Sequence, residues 1–152
     1  MAAFHRSNQL RTGRVSQIGQ AYHVTFTTFN RAPLLADFYA ARAAVCAAKH
    51  SDASGFTHTS AMVVMPDHVH WLLTLTRGNI ANTVRTVKSA AARTINVQRS
   101  GIDAVWQKGY YDHALRNEEA LLDVARYIVA NPLRAGLVAR LADYPHWHAQ
   151  WV

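Results

Sequence analysis

Apolar and polar residues alternate through Tyr22-His23-Val24-Thr25-Phe26-Thr27-Thr28-Phe29, a run rich in β-branched and aromatic side chains. That two-residue period predicts a strand, with Val24 and Phe26 on one face and His23, Thr25 and Thr27 on the other. Asn30-Arg31-Ala32-Pro33 closes it. The period then changes. Leu34, Phe38, Ala41, Val45 and Ala48 fall at helical spacing in an alanine-rich stretch, predicting a helix over 34–50. After a loop at 51–55, residues 57–64 read as a strand, Pro66-Asp67 as a turn and 68–76 as the returning strand. A second helix is predicted over 80–99, where Ile80, Val84, Val87, Ala91 and Ile95 form one apolar stripe. Residues 110–116 read as a fourth strand. Asn117 is placed to cap a third helix, with Glu118 and Glu119 at its positive end, and Pro132 stops that helix near Asn131. A short further helix is expected within 134–141. Residues 1–18 and the aromatic stretch from Tyr144 show no clear period.

The order β, α, β, β, α, β, α places the chain in the α+β class. It predicts a ferredoxin-like βαββαβ antiparallel sheet with helices on one face and one C-terminal helix added. The first and third strands are then neighbours at the centre of the sheet. The expected division is a basic N-terminal arm at 1–18, a folded domain at 19–140 and a C-terminal tail at 141–152.

Composition narrows the partners. With 152 residues, half of them hydrophobic, the chain can bury one real core. No apolar run approaches the ~20 residues that cross a bilayer, and the first residues lack a signal-peptide segment. Cys46 is the only cysteine, so intrachain disulfides are impossible, a cytoplasmic location is expected, and the thiol is expected to be a small buried side chain. The net charge of +7 is unevenly spread. Arg6, Arg11, Arg14 and Arg31 precede the first acid, Asp37, and residues 68–102 hold five basic residues and no acid. Two long acid-free stretches are the footprint of a polyanion. On the second helix, Arg85, Lys88 and Arg99 cluster beside the apolar stripe.

The candidate chemistry centres on His68-Val69-His70. On a strand both imidazoles share one face, about 7 Å apart along it, and can converge on one ion. Tyr127 and Asn131 share a face of the third helix at i and i+4. A divalent ion held by His68, His70 and the side-chain oxygen of Asn131 would polarise a phosphate and align a Tyr127 phenolate against it. Attack on a DNA phosphodiester would give a phosphotyrosine bond that conserves the bond energy for rejoining. No His-Glu-x-x-His helix, paired Cys-x-x-Cys or P-loop is present, which removes the usual zinc hydrolase and NTPase readings.

His68-Val69-His70 resembles the His-hydrophobic-His motif of the HUH endonucleases. Three wider blocks, 65–72, 106–116 and 127–138, resemble the REP-associated tyrosine transposases, relatives of the single-tyrosine insertion-sequence transposases. Leu10-Arg11-Thr12-Gly13-Arg14 and Tyr22-His23-Val24-Thr25 also resemble members of that group. The resemblance implies an HUH transposase-like catalytic domain over 19–140. In it Tyr127 is the nucleophile, His68 and His70 are ligands to Mg2+ or Mn2+, and Asn131 stands where the wider family often carries glutamine. It implies single-stranded DNA cleavage and strand transfer beside REP-type palindromic hairpins through a 5′-phosphotyrosine, in a bacterial, nucleoid-associated protein. A monomer is favoured over a homodimer. Arg11, Arg14, Arg85 and Lys88 are the expected phosphate contacts. The alternative is a domesticated relative that binds DNA hairpins in a regulatory role without cutting them.

Overall fold

The structure is a computed structural model and describes residues 16–151. Five strands form one sheet: β1 Ala21–Thr27, β2 Thr57–Val64, β3 His68–Leu75, β4 Tyr111–Leu115 and β5 Trp147–Ala149. Their order is β4-β1-β3-β2-β5 and every neighbouring pair is antiparallel. The first four strands follow the ferredoxin-like order, with β1 and β3 central, as the sequence predicts. Four α-helices accompany the sheet: α1 Phe38–Ala53, α2 Ile80–Gln98, α3 Glu118–Val129 and the single turn α4 Asn131–Arg134.

The pleat sends alternate residues to opposite faces, and each face has its own core. On one, Val24, Phe26, Trp71 and Leu73 pack under α1 and α2; all five residues of the α2 stripe are buried there. Trp71 is fully buried, and its indole N–H donates to Thr59 Oγ1 at 2.9 Å, so this large side chain leaves no polar atom stranded. On the other face, Ala61, Val63, Leu72 and Leu115 receive Ala125 and Ile128 of α3, together with Tyr144. A register shift between Thr59 and Ala61 changes the phase of β2, so that these two residues take opposite faces. Thr59 pairs with Leu73 on the α1/α2 side, whereas Ala61 pairs with Leu72 on the α3 side.

Several expectations are corrected. The first helix begins at Phe38 rather than Leu34, because Asp37 is its cap: the Asp37 carboxylate accepts from the Ala40 N–H at 2.9 Å, and residues 34–36 form a separate 3-10 turn. Phe38 is consequently 52% exposed, not core, and Cys46 is exposed, not buried. The helix expected within 134–141 is replaced by α4, which stops ahead of Gly136 at φ +72°, and by a 3-10 turn at Leu141–Asp143. The aromatic tail is not wholly irregular, since Trp147–Ala149 pairs with β2 as β5. Among the described residues no helix is long and apolar enough to cross a membrane. Arg11 and Arg14, with most of the expected arm, lie outside the described residues.

Candidate active site

The two histidines of β3 face the α3 side of the sheet, in the same parity as Leu72. Their ring centroids lie 5.0 Å apart. Each ring is held through Nδ1. His68 Nδ1–H donates to Asp67 Oδ1 at 2.7 Å, and Arg31 Nε donates to the other oxygen of that carboxylate at 3.0 Å. Burial pushes the Asp67 carboxyl up, but its bonds and charge pairings with His68 and Arg31 outweigh that and hold it below its ordinary value. His70 Nδ1 lies 3.0 Å from His23 Nε2 and 3.1 Å from Thr25 Oγ1, both on the neighbouring strand β1. Pairing of His70 with Thr25 and of Leu72 with His23 sets this contact through the sheet register.

The half-buried imidazoles of His70 and His23 are both shifted towards their neutral forms. Burial, and then the neighbouring charges of His23, His68 and Arg134, lower His70 from 6.5 to about 3. Burial, and then His113 across the β1–β4 pair, lower His23 to about 4. A neutral imidazole is the form that binds a metal. With a proton on each Nδ1, both Nε2 lone pairs are left for a ligand. The carboxylate on His68 is the outer partner that metal-binding histidines commonly use.

The backbone around Arg31 is strained. Asn30 and Arg31 have φ of 54° and 55°, a region that non-glycine residues rarely occupy. The turn is clamped to the β2–β3 turn: the Thr28 N–H donates to the Asp67 carbonyl oxygen, the Leu35 N–H donates to that of Pro66, and the Thr28 hydroxyl closes the turn on the Ala32 carbonyl oxygen at 2.7 Å. Such strain persists where surrounding contacts over-determine it, and here those contacts hold Arg31 against Asp67.

Tyr127 sits near the end of α3 and is 56% exposed. Its hydroxyl has no hydrogen-bond partner among the described residues. The helix ends at Ala130, since the ring of Pro132 opposes the carbonyl four residues back, and the chain restarts as α4. Asn131, at the start of α4, is half-buried, and its amide nitrogen is buried without a partner. Arg134, at the end of α4, stacks its guanidinium 3.9 Å from the Tyr127 ring centroid. The same Arg134 charge acts on His70. Arg134 therefore sits on Tyr127 and is near enough to His70 for its charge to be felt there.

Arg85 and Lys88 are placed elsewhere. They ride on α2, on the opposite side of the sheet from the histidines. Lys88 Nζ donates to the carbonyl oxygens of Gln107 at 3.0 Å and Gly109 at 2.7 Å, so it fastens the loop before β4. Arg85 donates to Asn82 Oδ1 within its own helix. Both line a groove of about 520 Å³ with Trp106 and Lys108. His23, Asp67, Arg31 and Arg134 were not singled out from the sequence as site residues. The signals available were the parity of His23 with Thr25 and the place of Asp67 and Arg134 within the blocks 65–72 and 127–138.

Residues 16–131 match the family model described as "Transposase IS200 like". The chain belongs to the IS200-like transposases. A REP-associated tyrosine transposase of Escherichia coli (strain K12) is 30% identical over 88 residues, covering 57% of this chain and 50% of its own length. A relative in Haemophilus influenzae is 27% identical over 99 residues, covering 58% of this chain and 56% of its own. The chain therefore spans about half the length of the curated relatives it matches. A solved REP-associated tyrosine transposase, bound to a REP hairpin, superposes with a TM-score of 0.70 at 25% identity, over 88% of this chain and 79% of its own. The family resemblance read from the sequence motifs is borne out.

Proposed function

We propose that this chain is a divalent-metal-dependent endonuclease and strand transferase for single-stranded DNA, acting beside REP-type palindromic hairpins through a 5′-phosphotyrosine on Tyr127. The observation that carries the reading is the shared arginine. Arg134 lies over an exposed phenol and its charge is felt at His70, which supports reading nucleophile and histidine face as one site. A solved relative holds a REP hairpin, which supports the substrate class.

The side chains suit a metal. Among the described residues no three of His, Cys, Asp and Glu group as a site, so the two histidines need an oxygen of another kind. Asn131 offers one, one helical turn beyond Tyr127, with its amide buried and its nitrogen unpartnered. His68, His70 and Asn131 would hold Mg2+ or Mn2+, which when bound polarises a non-bridging phosphate oxygen. Asp67 and His23 fix the two ring orientations. Tyr127 Oη attacks the phosphorus, the Oη–P bond forms and the P–O3′ bond breaks. The phenol gives up one proton and the leaving 3′ oxygen takes up one, so none is gained or lost overall. Reversal by a free 3′ hydroxyl rejoins a strand with no other energy source. Arg85, with Lys88 and Lys108 in the α2 groove, would hold DNA backbone away from the scissile bond; Arg11 and Arg14 are proposed as further phosphate contacts.

Incubation of an end-labelled DNA hairpin bearing a single-stranded tail with the protein and Mn2+ should give a denaturation-resistant protein–DNA adduct. EDTA should abolish it. Hairpin binding with no adduct in Mg2+ or Mn2+ would leave only the regulatory binding protein. An adduct formed equally in EDTA would remove the metal.

Asp67 gives a finer test. Asp67→Ala removes the acceptor on His68 Nδ1, and loss of such an outer partner typically weakens metal binding about 10- to 100-fold. Mn2+ titration followed by electron paramagnetic resonance should show that loss. Unchanged Mn2+ affinity would mean that the carboxylate does not orient His68.

A further inference from the structure

Arg134 has more to offer than the contacts it makes. Its guanidinium carbon lies over the Tyr127 ring, 3.9 Å from the centroid, and the group donates through Nη2 to the Tyr127 carbonyl oxygen at 2.6 Å. Among the described residues no carboxylate pairs with it. It is exposed. A guanidinium carries five N–H donors, so most of its hydrogen-bonding capacity remains unused. The arginine is thus fixed in position by the residue beside which it sits, while its charge and most of its donors face solvent.

That arrangement suits an anion arriving at the phenol. A planar fork matches two phosphate oxygens, and a cation already held in place loses little freedom on binding them. We propose that Arg134 binds the phosphodiester that Tyr127 attacks. This rests on the reading of Tyr127 as the nucleophile. The contact keeps the cation beside the attacking group, seven residues on, where two helical turns return the chain to the same face. Because negative charge grows on the phosphoryl oxygens as the phenol closes in, a fixed cation there accelerates the step as well as binding the strand. Capping the carbonyl end of α3 is the purely structural role for the same residue, and it predicts no preference for DNA with a tail.

The test separates these roles and also separates Arg134 from the chemistry. In a Tyr127→Phe background, which keeps the ring and removes the nucleophile, affinity is measured for a DNA hairpin alone and for the same hairpin with a single-stranded tail. Arg134→Gln should remove about tenfold of the affinity that the tail adds, while hairpin-alone affinity, the control for folding, stays within about twofold. Arg134→Lys, which keeps the charge but not the fork, should fall between. With Tyr127 intact, Arg134→Gln should slow single-turnover cleavage about 100-fold and Arg134→Lys less so. A tail that adds no affinity, or whose contribution survives Arg134→Gln, overturns the assignment even if the wild type cleaves normally. If the wild type forms no adduct while Arg134→Gln still removes the tail's contribution, the phosphate contact stands and the strand-transfer reading falls.

Discussion

Tyr127→Phe should reduce covalent adduct formation and strand cleavage by at least about 1,000-fold, because no other group takes over the covalent bond. Hairpin affinity and folding should be almost untouched. The ring is 56% exposed, and its hydroxyl makes no hydrogen bond among the described residues, so removing the oxygen strands no partner. The Arg134 stack uses the ring face, which phenylalanine keeps. The stability change should fall within about 0.5 kcal/mol, the range for surface substitutions. The measurement pairs adduct counting on a denaturing gel with a urea melt. Wild-type adduct levels in the variant would show that another residue is the nucleophile. Lost adduct with a collapsed melt would show that Tyr127 is structural instead.

Exposure of this tyrosine is informative because helix position alone argues for the opposite. Ile128 next to it is fully buried, and an aromatic residue on an amphipathic helix is ordinarily part of the packing. Here the apolar contacts of α3 come from Ala125 and Ile128, with Leu121, Val124 and Val129 beside them, and the phenol stays outside that packing.

What was legible in the sequence is what depends on local period. The α2 stripe from Ile80 to Ile95 is buried throughout, and the alternation in β1 separates Val24 and Phe26 from His23 and Thr25 as expected. The shared face of His68 and His70 follows from the same rule. The supports of these histidines were not legible. His23 lies 47 residues from His70, and Arg31 lies 36 from Asp67, so both contacts exist only once the strands are in register. A tilt of period cannot reveal them. The start of α1 was misplaced because Leu34 and Phe38 continue the helical spacing across a cap, and apolar spacing alone does not register a capping carboxylate. The bulge at Ser60 and the three-residue β5 fall below what a two-residue period can detect. Arg134 was readable only as a basic residue past a proline; its stack on Tyr127 depends on how α3 breaks.

The two histidines should not respond alike to removal, although each is proposed as a ligand. His68→Ala and His70→Ala should both weaken Mn2+ binding by more than the about 100-fold typical of losing an outer partner, and both should abolish metal-dependent cleavage. Their stabilities should differ. His68 loses one bond, to Asp67, whose carboxylate keeps its pairing with Arg31, so the cost should be below about 1 kcal/mol. His70 lies deeper in the sheet, and its ring is the common partner of His23 Nε2 and Thr25 Oγ1. Removing it leaves both half-buried groups without that partner. A stranded buried polar group costs about 1–3 kcal/mol, so His70→Ala should be the less stable variant by about that amount in a urea melt. His70→Asn, which can restore a hydrogen bond to His23, should recover part of the stability and none of the metal affinity. Equal melts for the two alanine variants would mean that His23 does not support His70. Retained Mn2+-dependent cleavage in His68→Ala would remove that imidazole from the ligand set and leave the metal site to be sought elsewhere on the sheet.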